Sequence, residues 1–222
     1  MQGRTFGFFK GDHAMADLLI KLESLKHSHV GKKVSTRLKE FERLRNAPDE
    51  LLFEELCFCL LTANFNAERS IRIQRALHNQ FLFLPEQQLA ERLRELGHRY
   101  PNARARYIVL ARPYRSLLRH TLNSAPNSSF AREWLVANIK GMGYKEASHF
   151  LRNVGFKDIA IVDFHIIDLL YRRGLIKKPT YMGKKRYLEI ESILAALADR
   201  ASMSLAELDL YLWYMETGKV LK

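Results

Sequence analysis

The sequence predicts an all-α fold, and three observations carry that expectation. Apolar residues recur at three- and four-residue spacing along nearly the whole chain. Gly, Pro and Asn stand where those patterns break, as helix stops do. The most ordered stretch, Phe130 to Leu170, reads as two helices joined by Ile139-Lys140-Gly141-Met142-Gly143, an apolar-x-Gly-apolar-Gly hairpin.

Met1 to His13 is mixed and receives no role. Leu18, Leu19, Leu22 and Leu25 mark a first helix from Met15, and Val34, Leu38, Phe41 and Leu44 mark a second. Pro48-Asp49 ends that helix and caps a third, Glu50 to Thr62, which is apolar on most sides and so belongs in the centre. It exits through Ala63-Asn64-Phe65-Asn66. Ala67 to Asn79 carries Arg69, Arg72 and Arg75, for which solvent is the default partner. Pro85 opens the next helix and Gly97 closes it.

His98 to Arg106 is rich in basic residues and continues through Tyr107, Leu110 and Ala111. Thr121 to Ser128 reads as a polar linker, with Ser129 as a cap. In the hairpin, Phe130, Trp134 and Ala137 form the first stripe. Ala147, Phe150, Leu151 and Val154 form the second, stopped by Gly155. Asp163 caps a helix that runs to Arg173. Lys184 to Ala198 is helical, and Ser204 with Glu207 forms a capping box for the last helix. That helix carries Leu208, Tyr211, Leu212 and Met215, with Trp213 and Tyr214 beside them.

The 222 residues suffice for one compact unit or two small lobes. Lys and Arg exceed Asp and Glu by 36 − 24 = +12, which favours an anionic partner, nucleic acid first. Cys57 and Cys59 are the only cysteines, lie in an apolar helical run, and cannot supply the four thiolates of an iron–sulfur cluster. No apolar run is long enough to span a membrane, and a reducing compartment fits.

Two glycines in a tight hairpin mean a sharp turn or a close approach by another group. The helix starting after Gly143 aims free N–H groups outward, a seat for phosphate; an ordinary αα-turn reads equally well. Lys145 sits in that helix's first turn, where a cation opposes the dipole. It is either a solvated lysine or a nucleophilic amine. Asp163 is an N-cap, and a capping carboxylate is also one fixed in position for chemistry.

Hairpin, Lys145 and the V-D-x-H around Asp163 together resemble the helix-hairpin-helix DNA glycosylase superfamily. Four runs narrow the resemblance: ELCFCLLTANFNAE from Glu55, LGHRYPNARARYIVLAR from Leu96, KGMGYKEASHFLRNVGF from Lys140 and LDLYLWYMETGKVLK from Leu208. They resemble the second type of 8-oxoguanine DNA glycosylase/lyase, the archaeal and thermophile type, from about Met15 onward. The resemblance implies two lobes with DNA in a cleft between them: residues 1–48 with 155–222, and 49–154.

It further implies Lys145 as nucleophile and Asp163 as its carboxylate partner. Gly141, Gly143 and His165 would hold the DNA backbone. Asn64 would fill the gap left by the extruded base, and Arg104 would meet the opposite strand. Trp213 would stack on the purine, and Lys222 would reach the base with its carboxylate. Two departures stand out: Arg69 and Ser70 replace two glycines, and Phe164 replaces a usually basic residue.

The implied partner is double-stranded DNA containing 8-oxoguanine or abasic sites, acted on by a monomer without any membrane, in a prokaryotic cytoplasm at the nucleoid. No redox or organic cofactor is expected; related hairpins bind a monovalent cation through backbone carbonyls. Two other readings stay open: the same scaffold excising another oxidised base such as a pyrimidine, and a non-catalytic DNA-binding module.

Overall fold

The structure, a computed structural model, describes residues 9–222. Among these every regular element is helical, with two short 3-10 turns at His78–Leu82 and Arg112–Tyr114 and no strand. The helices are α1 (Phe9–Lys26), α2 (His29–Arg45), α3 (Asp49–Thr62), α4 (Ala67–Leu77), α5 (Glu86–Glu95), α6 (Pro101–Ala111), α7 (Arg115–Ser124), α8 (Ser128–Asn138), α9 (Tyr144–Asn153), α10 (Phe164–Arg172), α11 (Lys184–Arg200) and α12 (Leu205–Thr217). The first eight residues of the unassigned Met1–His13 stretch lie outside the described residues.

The chain divides into two units. The larger comprises Leu38–Ile159 and Leu221–Lys222. Its axis is α3, where Leu52 through Thr62 are all buried, including Glu54 and Glu55. Helices α4, α6, α7 and α9 pack around it, and α8 packs on α9. Burying each Leu or Phe of that core contributes about 1.5–3 kcal/mol, more than the roughly 1 kcal/mol of a typical cap. The smaller unit joins the described part of Met1–Arg37 to Ala160–Val220. Here α12 packs on α10 and α11, and α1 packs on α11.

The divisions fall at 37/38 and 159/160, away from the expected 48/49 and 154/155. The last turns of α2 account for the first shift. Gly155 lies so close to Phe41 and Glu42 that a Cβ there would be 3.2 Å from their backbone. Arg45 donates to the Leu122 carbonyl at 3.2 Å and lies 4.3 Å over the Phe156 ring.

Four local expectations need correction. Much of the expected linker at Thr121–Ser128 is the end of α7, whose Leu118 and Leu122 are buried. The cap of α8 is Asn127, accepting from Phe130 N at 2.8 Å, and not Ser129. The inward face of α8 is Ala131 and Leu135, while Phe130 is exposed. One step of register separates those faces, and the small Ala131 hid the true one. Finally, Asp49 is the first residue of α3, not its cap; it favours the positive helix end and pairs with Arg119 at 2.9 Å.

Candidate active site

The hairpin between α8 and α9 is held by its own backbone. Met142 N donates to the Ile139 carbonyl at 3.1 Å, and Met142 is buried. Gly141 has φ +87°, and a Cβ there would lie 2.2 Å from the Tyr107 ring. Conformation and space both require glycine at this position. Gly143 is different: its φ of −92° suits any residue. It serves as the N-cap residue of α9, presenting the helix start.

Lys145 follows in the first turn, its side chain mostly shielded. Its Nζ lies 3.0 Å from Glu146 Oε1. The other oxygen of Glu146 accepts from Gly143 N at 3.3 Å. One carboxylate therefore fixes both the hairpin's last residue and the lysine. One turn further along α9, His149 is buried, with Phe58 edge-on at 5.4 Å. Burial pushes its pKa well below the usual histidine value, and Arg152, Lys145 and Lys222 add to this; the main-chain oxygen of Lys222 pulls the other way. The ring is neutral at pH 7, and its Nε2 is buried without a partner.

Lys222 is anchored in the same unit. Its Nζ lies 2.6 Å from Glu55 Oε2 and 2.5 Å from Gln74 Oε1, and sits 4.3 Å over the Phe58 ring. Glu55 also accepts from Asn153 at 2.5 Å. A buried carboxylate needs such partners, and Glu55 has them.

Asn64 is exposed at the end of α3, with φ +54°, a conformation Asn tolerates better than most residues. Its loop is braced from below. Arg104 donates to the Ala63 carbonyl at 2.6 Å, and His98 bonds the Leu61 carbonyl at 3.0 Å through Nε2. Tyr100 N donates to Nδ1 of the same ring at 3.0 Å, which fixes the tautomer. Burial lowers the pKa of His98 and of Arg104. Arg104 is thus buried, reaching the Asn64 loop from beneath.

In the smaller unit, Ala160–Val162 is extended and stapled to α11. Val162 N donates to the Tyr187 hydroxyl at 3.1 Å, and that hydroxyl donates to the Ala160 carbonyl at 2.9 Å. This delivers Asp163 to the head of α10, where its Oδ1 accepts from Ile166 N at 3.0 Å. His165 stands edge-on to Trp213 at 4.8 Å and tilted on the exposed Phe164 at 3.9 Å. At the other departure, Ser70 is buried and bonds the Asn66 carbonyl, while Arg69 is exposed and α4 begins regularly from the Asn66 cap.

Sequence reasoning missed Glu55, Gln74, Glu146 and His149. Glu55 could have been found: a carboxylate amid an apolar helix must be paired. Gln74 and His149 could not, since their partners lie far off in sequence.

An all-α protein with this hairpin, and a lysine at the head of its second helix, falls in the helix-hairpin-helix DNA glycosylase class. Comparison narrows the class. A family profile described as 8-oxoguanine DNA glycosylase matches residues 34–203. The 8-oxoguanine DNA glycosylase/AP lyase of Korarchaeum cryptofilum is 53% identical, over 93% of this chain and 98% of its own. The Methanocaldococcus jannaschii 8-oxoguanine glycosylase/lyase, solved with a 15mer DNA containing 8-oxoguanine, superposes with a TM-score of 0.90 at 49% identity, over 93% of this chain and all of that one. The 8-oxoguanine DNA glycosylase of Thermotoga maritima gives 0.88 at 46%, over 94% and all. The chain belongs to the 8-oxoguanine DNA glycosylase family.

Proposed function

We propose that this protein excises 8-oxoguanine from double-stranded DNA and then nicks the abasic site. The observation that carries the reading is Lys145, held at the head of α9 straight after the hairpin, in a chain half-identical to named 8-oxoguanine DNA glycosylase/AP lyases over nearly its whole length. C1′ of a stacked nucleotide is out of reach, so the nucleotide must be flipped out, at about a few kcal/mol. Contacts from the basic surface and hairpin to phosphate offset this without reading sequence.

The neutral Lys145 amine attacks C1′ and the N-glycosidic bond breaks, its electron pair leaving with the base. Asp163, ionised, stabilises positive charge on the sugar and helps position or deprotonate the lysine. Loss of the ring oxygen's bond to C1′ gives a protonated Schiff base. A proton then leaves C2′ and the C3′–O bond breaks, which is β-elimination. This splits one hard step into two. No redox or organic cofactor enters. The hairpin offers main-chain oxygens, which suit a hard monovalent cation.

Gly141, Gly143 and His165 serve the DNA backbone, Asn64 the vacated gap, Arg104 the opposite strand through its loop, and Trp213 and Lys222 the base. The protein acts as a monomer at the nucleoid. Among the described residues no helix is long and apolar enough to cross a membrane.

Borohydride trapping on an 8-oxoguanine duplex tests the reading. A trapped covalent complex with a β-elimination product supports it. Duplex binding with neither product would leave only a DNA-binding module. Faster release of thymine glycol than of 8-oxoguanine would move the substrate to oxidised pyrimidines.

A further inference from the structure

The ammonium of Lys222 is spoken for. Glu55 and Gln74 accept from it at 2.6 and 2.5 Å, and its remaining side faces the Phe58 ring. Glu55 is itself fixed by Asn153 at 2.5 Å and by the Gln74 amide at 3.3 Å. Asn153 in turn accepts from Arg152 at 2.8 Å.

We propose that Glu55 and Gln74 are positioning residues that clamp the ammonium of Lys222, so that its main chain and not its ammonium meets the base. The proposal rests on the reading of Lys222 as a base-recognition residue. The chemistry of the guanine edge agrees with it. N1–H and the exocyclic amine are donors; an ammonium is a donor only, whereas a main-chain oxygen accepts. A lysine ordered in advance by Glu55 and Gln74 need not be ordered when the base arrives. The freedom of such a side chain corresponds to a fold-change of roughly ten to thirty.

The test compares wild type, Gln74→Ala, Lys222→Met and the double variant. Gln74 is half-exposed on α4, so its replacement is mild for folding. The readout is the single-turnover ratio of 8-oxoguanine release to cleavage of a preformed abasic site, which needs no base. The clamp predicts that each single variant lowers this ratio by about tenfold or more. The double variant should be no worse than Lys222→Met alone. Gln74→Ala retains the ammonium, so a wild-type ratio in that variant overturns the proposal, as do losses that multiply. Equal falls in both activities also overturn it, since they mark a merely structural role. Wild type that releases no 8-oxoguanine would defeat the underlying reading instead, and is told apart by that control.

Discussion

Glu146 holds Lys145 with one oxygen, at 3.0 Å, and the amide of Gly143 with the other, at 3.3 Å. The lysine at the head of α9 is therefore indexed to the hairpin beside it. Glu146→Ala removes both contacts. It should lower stability by about 1 kcal/mol, the worth of a helix cap, and Tm by about 2–4 °C. Excision should fall as well, because the amine loses its registration. A melt and a single-turnover assay measure the two effects separately.

Lys145→Gln removes the proposed nucleophile and leaves the hairpin intact. Excision and nicking should drop by at least roughly a thousandfold. The borohydride adduct should vanish while affinity for lesion DNA persists. Normal turnover by this variant would remove Lys145 from the chemistry.

Asp163→Asn separates the capping bond of this side chain from its proposed part in the chemistry. Asn caps helices about as well as Asp. The bond to Ile166 N should survive, and Tm should move by no more than about 1–2 °C. The rate should fall strongly, because a neutral amide cannot stabilise positive charge on the sugar. A near wild-type rate would reduce Asp163 to a cap.

The two hairpin glycines should respond differently to alanine. Gly141→Ala meets a left-handed φ and a ring carbon of Tyr107 at 2.2 Å. Strain of about 1–2 kcal/mol and overpacking of about 1–3 kcal/mol add together. Gly143→Ala meets only Glu146 Oε2 at 3.3 Å, the end of a side chain, at an ordinary φ. Melting both variants checks the contrast: equal losses would show that the hairpin is not held as described.

The sequence made much of this legible. The apolar breadth of α3 announced a central helix, and local chemistry marked Gly141 as a turn residue and Asp163 as a cap, whereas for Lys145 it left a solvated lysine and a nucleophile equally open. What stayed hidden depends on distance along the chain. Glu55 and Lys222 are 167 residues apart, and no local pattern foretells their pairing. The helix α7 escaped because its Thr, Asn and Ser residues read as linker while two leucines did the packing. Ser129 lost the capping role to Asn127 two residues earlier, a choice set by where the chain enters α8.

His149 and His98 give the protein an acid limit. Burial is the first cause in both, and both folded pKa values lie below the usual histidine value. The unfolded chain takes up protons near pH 6.5, whereas the folded chain resists. Their contribution to stability is therefore complete above about pH 6.5 and is lost as pH falls below it toward the folded values. The slope for each histidine is at most about 1.4 kcal/mol per pH unit, reached where the unfolded ring is protonated and the folded one is not. Burial leads, Arg152, Lys145 and Lys222 are cations that also keep the proton off His149, and the main-chain oxygen of Lys222 opposes them without reversing the sign. Urea titrations between pH 5 and 7 measure the slope. In His149→Gln it should be shallower by about one histidine's share, while a slope identical to wild type would show that His149 is protonated in the folded state.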